Sequence, residues 1–168
     1  MVDPFPAILE SRTSLRLSPQ DFFVAGGPLP DSYLECRAGL MDGLPEKYLE
    51  GIRLFNEEEF FECHDVLEEL WSETMGDERS FLQGLIQASV ALFHFGNGNL
   101  GGARKLFDSA WQRLGRYPTP YMGIDLLQFM LDFEQCFREL LDAGSTWPEG
   151  IELRDDRIPE IRMVEQID

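Results

Sequence analysis

Lysine is nearly missing from this sequence: Lys47 and Lys105 are the only two in 168 residues, and arginine carries the remaining positive charge. Acidic residues outnumber basic ones 31 to 14, for a formal net charge of −17. A phosphate backbone is held by cations that neutralise it, so this balance argues against nucleic acid as a partner. The acids are most simply a solvated surface. Cysteine is scarce too. Cys36, Cys63 and Cys136 are widely spaced and form no CxxC pair, which removes the usual zinc-knuckle and redox motifs and leaves reduced, mostly buried thiols. The first residues hold an acid and two prolines where a signal peptide needs a basic start and an apolar run, so the expected location is the cytoplasm. No charged residue lies between Arg79 and Arg104, but the apolar part ends near Phe95 and contains Gln83, Gln87 and His94. It is shorter and more polar than a bilayer span, so a buried core helix and no membrane partner are expected. There is no P-loop, no HExxH, no repeat and no low-complexity segment.

What is present is hydrocarbon: 43% hydrophobic residues, with 13 Phe and 3 Trp. A chain of this length and content buries one core without disulfide or metal staples. Residues 1–43 carry several prolines and Gly26-Gly27 without sustained periodicity, and read as an irregular arm with short turns near Ser18-Pro19 and over Asp31 to Met41. The bundle domain is expected over 44–143. Its first helix runs from Pro45 to Phe55, with Asn56 as its stop. The second, Glu57 to Glu73, places Phe60, Cys63, Leu67, Leu70 and Trp71 on one face and Glu58, Glu62, Asp65 and Glu69 on the other. Met75-Gly76-Asp77 then reverses the chain into Ser80 to Phe95, apolar nearly all round, as a central buried helix must be. Asn99 is placed to cap a helix from Leu100 to Arg116, whose Gly101, Gly102 and Ala103 allow close approach to a neighbour. A last helix spans about Asp125 to Ala143, with Leu127, Met130, Leu131, Phe133, Phe137 and Leu141 as its apolar surface. Residues 144–168 read as an extended tail lying along the bundle. The fold class is an all-α antiparallel helical bundle.

His64 and Glu68 stack four residues apart on the second helix, between Phe61 and Trp71 and away from the acidic face. An imidazole and a carboxylate in an apolar arc need partners, because burying them unpaired costs several kcal/mol. Folding the two helices back about Gly76 brings Gln87 to the level between His64 and Glu68, predicting a sheltered His64, Glu68 and Gln87 cluster. His94 falls about 7 to 8 Å further along the axis. Three uses of the cluster stay open. It is a hydrogen-bond network that fixes the hairpin; or a binding pocket for a small polar ligand, walled by Trp71 and Phe61; or a site where His64, Glu68 and His94 hold a divalent metal that activates water for hydrolysis. The leading expectation is a binding or structural module, with the metal-dependent hydrolase as alternative. Nucleophilic catalysis is weaker: Cys63 points about 100° away from His64, and Ser89 has no evident base.

The strings that carry these residues also carry a resemblance. FNEEEFFECHDVLEELW at 55–71, ERSFLQGLIQASVALFH at 78–94 and GNLGGARKLF at 98–107, followed by a helix opening at GIDLL, resemble the family catalogued as the domain of unknown function numbered 309. The likeness covers about residues 45–142. It implies a compact all-helical bundle, and some relatives bear the label of predicted metal-dependent hydrolases. The family's His, Glu, Trp and Gln positions fall on His64, Glu68, Trp71 and Gln87, and the histidine closing the second string on His94.

Overall fold

A computed structural model describes residues 43–164 of the chain. The arm expected over 1–43, with its turns at Ser18-Pro19 and Asp31 to Met41, lies outside the described residues but for Gly43. Among the described residues the chain forms five α-helices: α1 (Glu46–Asn56), α2 (Phe60–Glu73), α3 (Gly76–Gly96), α4 (Leu100–Leu114) and α5 (Leu126–Asp142). No strand accompanies them, only isolated bridges from Ile124 to Tyr121 and Met163. No helix among the described residues is long and apolar enough to cross a membrane.

Short links make neighbouring helices antiparallel. Phe61 near the start of α2 meets Phe93 near the end of α3, while Trp71 near the end of α2 meets Arg79 near the start of α3. Two glycines set the closest approaches. A Cβ on Gly84 would stand 2.6 Å from Leu114 Cδ2, and one on Gly51 would overlap the Leu67 side chain. These positions, rather than Gly101 and Gly102, are where helices press together. Open space surrounds Gly101, and Gly102 instead leaves room for the cap, its N–H donating to Asn99 Oδ1 at 3.0 Å. Asp125 caps α5 in the same way, accepting from Gln128 N.

The core is aromatic. Phe129, Phe133 and Phe137 follow one another at four-residue spacing down the buried side of α5. They reach Phe55 of α1, Phe95 of α3 and Phe107 of α4, with ring centroids 4.8 to 5.6 Å apart. The apolar surface expected of α5 divides by this phase: Leu126, Phe129 and Met130 are buried, Leu127 is half-buried and Leu131 is exposed. Burial pushes the Cys63 thiol up to about 12, against a smaller opposing hydrogen bond from Ser89, and burial likewise pushes Cys136 up to about 12. Both are free thiols without the depressed pKa of a reactive nucleophile.

Among the described residues after α5, up to Val164, the chain has no regular structure except a single 3-10 turn at Asp155–Arg157. It nevertheless lies against the helices: Ile161 is buried, and Ile151, Leu153, Ile158 and Met163 pack on the core. The Asn56 side chain fastens it, donating from Nδ2 to Ile161 O at 2.9 Å and accepting from Ile161 N at 2.8 Å.

Candidate functional site

The turn between α1 and α2 determines how α2 presents its faces. Glu58 adopts a left-handed φ of 64° there, so helix begins at Phe60 rather than at Glu57. From Phe60 on, one turn of helix per 3.6 residues separates three strips. Phe60, Cys63, Leu67 and Leu70 enter the core, and Glu58, Glu62, Asp65 and Glu69 face solvent. Between them runs a third strip, Phe61, His64, Glu68 and Trp71, along the boundary with α3. On α3 the corresponding strip is Arg79, Ile86, Val90 and Phe93, at helical spacing. The two strips form a seam on the outside of the hairpin.

The seam is partly open and aromatic at one end. Phe61 is 51% exposed and Phe93 38% exposed, yet their rings stand only 5.6 Å apart. The His64 ring is 5.9 Å from Phe61. At the other end, the Arg79 guanidinium lies 3.7 Å above the Trp71 ring while donating to Trp71 O and Thr74 O. That contact joins a cation–π attraction to two hydrogen bonds and closes the hairpin.

The polar groups of the strip are poorly served. His64 Nδ1 lies 3.0 Å from Asp65 Oδ1, and Nε2 lies 3.5 Å from Glu68 Oε2, but neither pair is aligned as a hydrogen bond. Nδ1 is enclosed and has no partner, and the same holds for Trp71 Nε1. The geometry of the hydrogen bond, not the bare distance, decides whether an enclosed nitrogen is satisfied.

The structure brings together His64, Glu68, Trp71 and Phe61 on one strip, but not as a sheltered cluster with Gln87. Glu68 is 57% exposed. Gln87 turns to the next helix, where its Oε1 accepts from Arg113 Nε of α4 at 3.4 Å. The physical reason is azimuth. Gln87 stands at about the right level along α3, but one residue past Ile86 is a rotation of about 100°, from the α2 side to the α4 side. His94 points the same way, its ring 3.4 Å from Asn99 Nδ2 at the α3–α4 turn. Among the described residues no group of three or more His, Cys, Asp or Glu side chains is placed to hold a metal ion. Two cavities, of about 410 and 500 Å³, open elsewhere. Asn56, Asp132 and Arg157 line the first and Glu139, Leu153 and Arg154 the second, without His64, Trp71 or Gln87.

Two residues of the seam escaped sequence reasoning. Phe93 looks like one more apolar residue in an apolar helix, and Arg79 like an ordinary helix-start charge. The signal that finds them is their spacing of fourteen residues, close to four full turns, which puts both on one edge of α3.

The described residues thus form an all-helical bundle of five helices with a half-open aromatic seam along its second and third. Residues 48–106 match the model of the domain of unknown function DUF309, so the chain contains an all-helical domain matching that family. The matched stretch runs from α1 into α4 and contains the whole seam. The chain is 28% identical over 126 residues to the uncharacterised protein YpuF of Bacillus subtilis (strain 168), covering 72% of each. It is 30% identical over 73 residues to an uncharacterised protein of Aquifex aeolicus (strain VF5), covering 43% of this chain and 22% of that one.

Proposed function

We propose that this protein is a binding module of the cytoplasm whose contact surface is the α2–α3 seam, formed by Phe61, His64, Trp71 and Phe93 with Glu68 at its rim. The observation that carries the reading is the coincidence on one strip of two enclosed, unpartnered nitrogens, His64 Nδ1 and Trp71 Nε1, with two exposed phenyl rings. An unmade buried hydrogen bond costs about 1–3 kcal/mol. A packed structural network satisfies such groups, whereas a surface kept open for recognition tolerates the cost of leaving them unmade. The free thiols Cys63 and Cys136 agree with a reducing compartment.

The small polar ligand and the hydrolase have less behind them. The cavities described above lie away from the seam, and the donor set that a metal-dependent hydrolase would use is not assembled among the described residues.

Solvent mapping by NMR tests the reading. With phenol, imidazole and isopropanol added in turn to the labelled protein, the largest shift changes are expected at the Trp71 indole N–H, the His64 ring and the Phe61 ring. Changes concentrated at the cavity beside Asp132 and Arg157, or spread evenly over the surface, would remove the seam as the binding surface.

A further inference from the structure

The walls of the seam differ in charge, and that difference defines what fits it. Along the α2 side stand Glu62, Asp65 and Glu68, all exposed, and none has a Lys or Arg partner among the described residues. Glu69, in the same row, is the exception, since Lys47 reaches it at 3.4 Å. The α3 side carries no charge between Arg79 and the end of the helix: Gln83, Gln87 and His94 form its polar row, and Arg113 of α4 backs Gln87. Between the walls the apolar floor carries the exposed Phe61 and Phe93 and the half-buried Val90, with Ile86 buried beneath them. From Arg79 to Phe93 it runs straight for about 21 Å, the rise of fourteen helical residues.

A floor that is narrow, straight and apolar accepts the apolar edge of one helix, read as anchors at i, i+3 or i+4 and i+7. A second copy of this chain is a poor occupant, because it would bring another acidic wall and a further net charge of −17. Resting on the reading of the seam as a binding surface, we infer that its occupant is an amphipathic helix of another protein, apolar along one edge and bearing Lys or Arg on the flank that lies against α2. Phe61 and Phe93 take its apolar anchors. Glu62, Asp65 and Glu68 face its cations, and the uncharged α3 wall fixes which flank goes where. Opposite charge at the rim speeds encounter and sets orientation, while the apolar floor holds the complex.

The test uses the full chain and a labelled helical peptide of about 14 residues, four turns, with Leu along one edge and Lys on the flanks. Fluorescence anisotropy across a salt series reads the affinity. The expected result is saturable one-to-one binding, weakened about tenfold or more by Phe61→Ala. Replacing Glu62→Gln, Asp65→Asn and Glu68→Gln together weakens it at low salt and removes most of its salt dependence. All these side chains are exposed, so circular dichroism should show the variants folded.

The inference is overturned if the Lys peptide does not bind, if a Glu version binds equally well, or if the triple variant keeps both affinity and salt dependence. Self-association of the free protein that Phe61→Ala abolishes would assign the seam to a second copy instead. Failure of the underlying reading looks different. A peptide that binds with an affinity unmoved by Phe61→Ala and Phe93→Ala contacts another surface, whereas organic probes that gather on the seam while no cationic helix binds leave the surface standing and remove only the partner.

Discussion

Phe133→Ala lowers the free energy of unfolding by about 3–5 kcal/mol, the range for deleting a fully buried aromatic ring. Phe133 is inaccessible to solvent and stands at the centre of the ring cluster, 4.8 Å from Phe107, 5.0 Å from Phe137 and 5.7 Å from Phe129. Those neighbours sit on α4 and at the adjacent turns of α5, themselves held by other rings, so the cavity cannot collapse without moving a helix. Against a whole-domain stability of about 5–15 kcal/mol, the variant should be marginal. Urea denaturation at constant m-value measures the loss. A loss below about 1 kcal/mol would mean that the helices pack around some other centre.

The second large effect is at Asn56. Asn56→Ala removes two hydrogen bonds to the Ile161 backbone and leaves a part-buried N–H and C=O without their partner, at a cost of about 2 kcal/mol. It also loosens the tail. Other ties remain, from Asp125 N to Arg162 O and from Val164 N to Gly123 O. The expected signature is therefore local: trypsin cuts after Arg154 and Arg157 several-fold faster while the bundle stays folded. Unchanged cleavage together with unchanged stability would show that Asn56 does not fasten the tail.

The sequence revealed the helices well because their signals are local. Periodic Phe and Leu, Asn99 and Asp125 at helix starts, and the charge-free run before Arg104 each act through near neighbours in the chain, and the structure repeats them. The start of α2 was misplaced by three residues because a left-handed glutamate at Glu58 has no sequence signature. Leu131 belongs to the apolar surface by its type, but the phase set by Phe129 and Phe133 turns it out. The site was legible in part. His64, Glu68, Trp71 and Phe61 share a strip because one helix carries them all. Gln87 depended on the relative rotation of two helices, and that rotation is decided by Gly84 against Leu114 and by the Arg113 hydrogen bond, contacts that pairing about the turn does not include. Asn56 to Ile161 spans 105 residues, and no pattern in the sequence announces it.

The claim that the α2–α3 seam is made for a contact, and is not a network that holds the hairpin, meets its most direct test in the stability of His64→Leu. Leucine removes an enclosed nitrogen without a partner, extends the apolar floor beside Phe61, and is the better helix former. Stability in urea is predicted to be unchanged or raised by about 1 kcal/mol. A fall of about 2 kcal/mol or more would show the imidazole bound into the fold by hydrogen bonds, and would contradict the account.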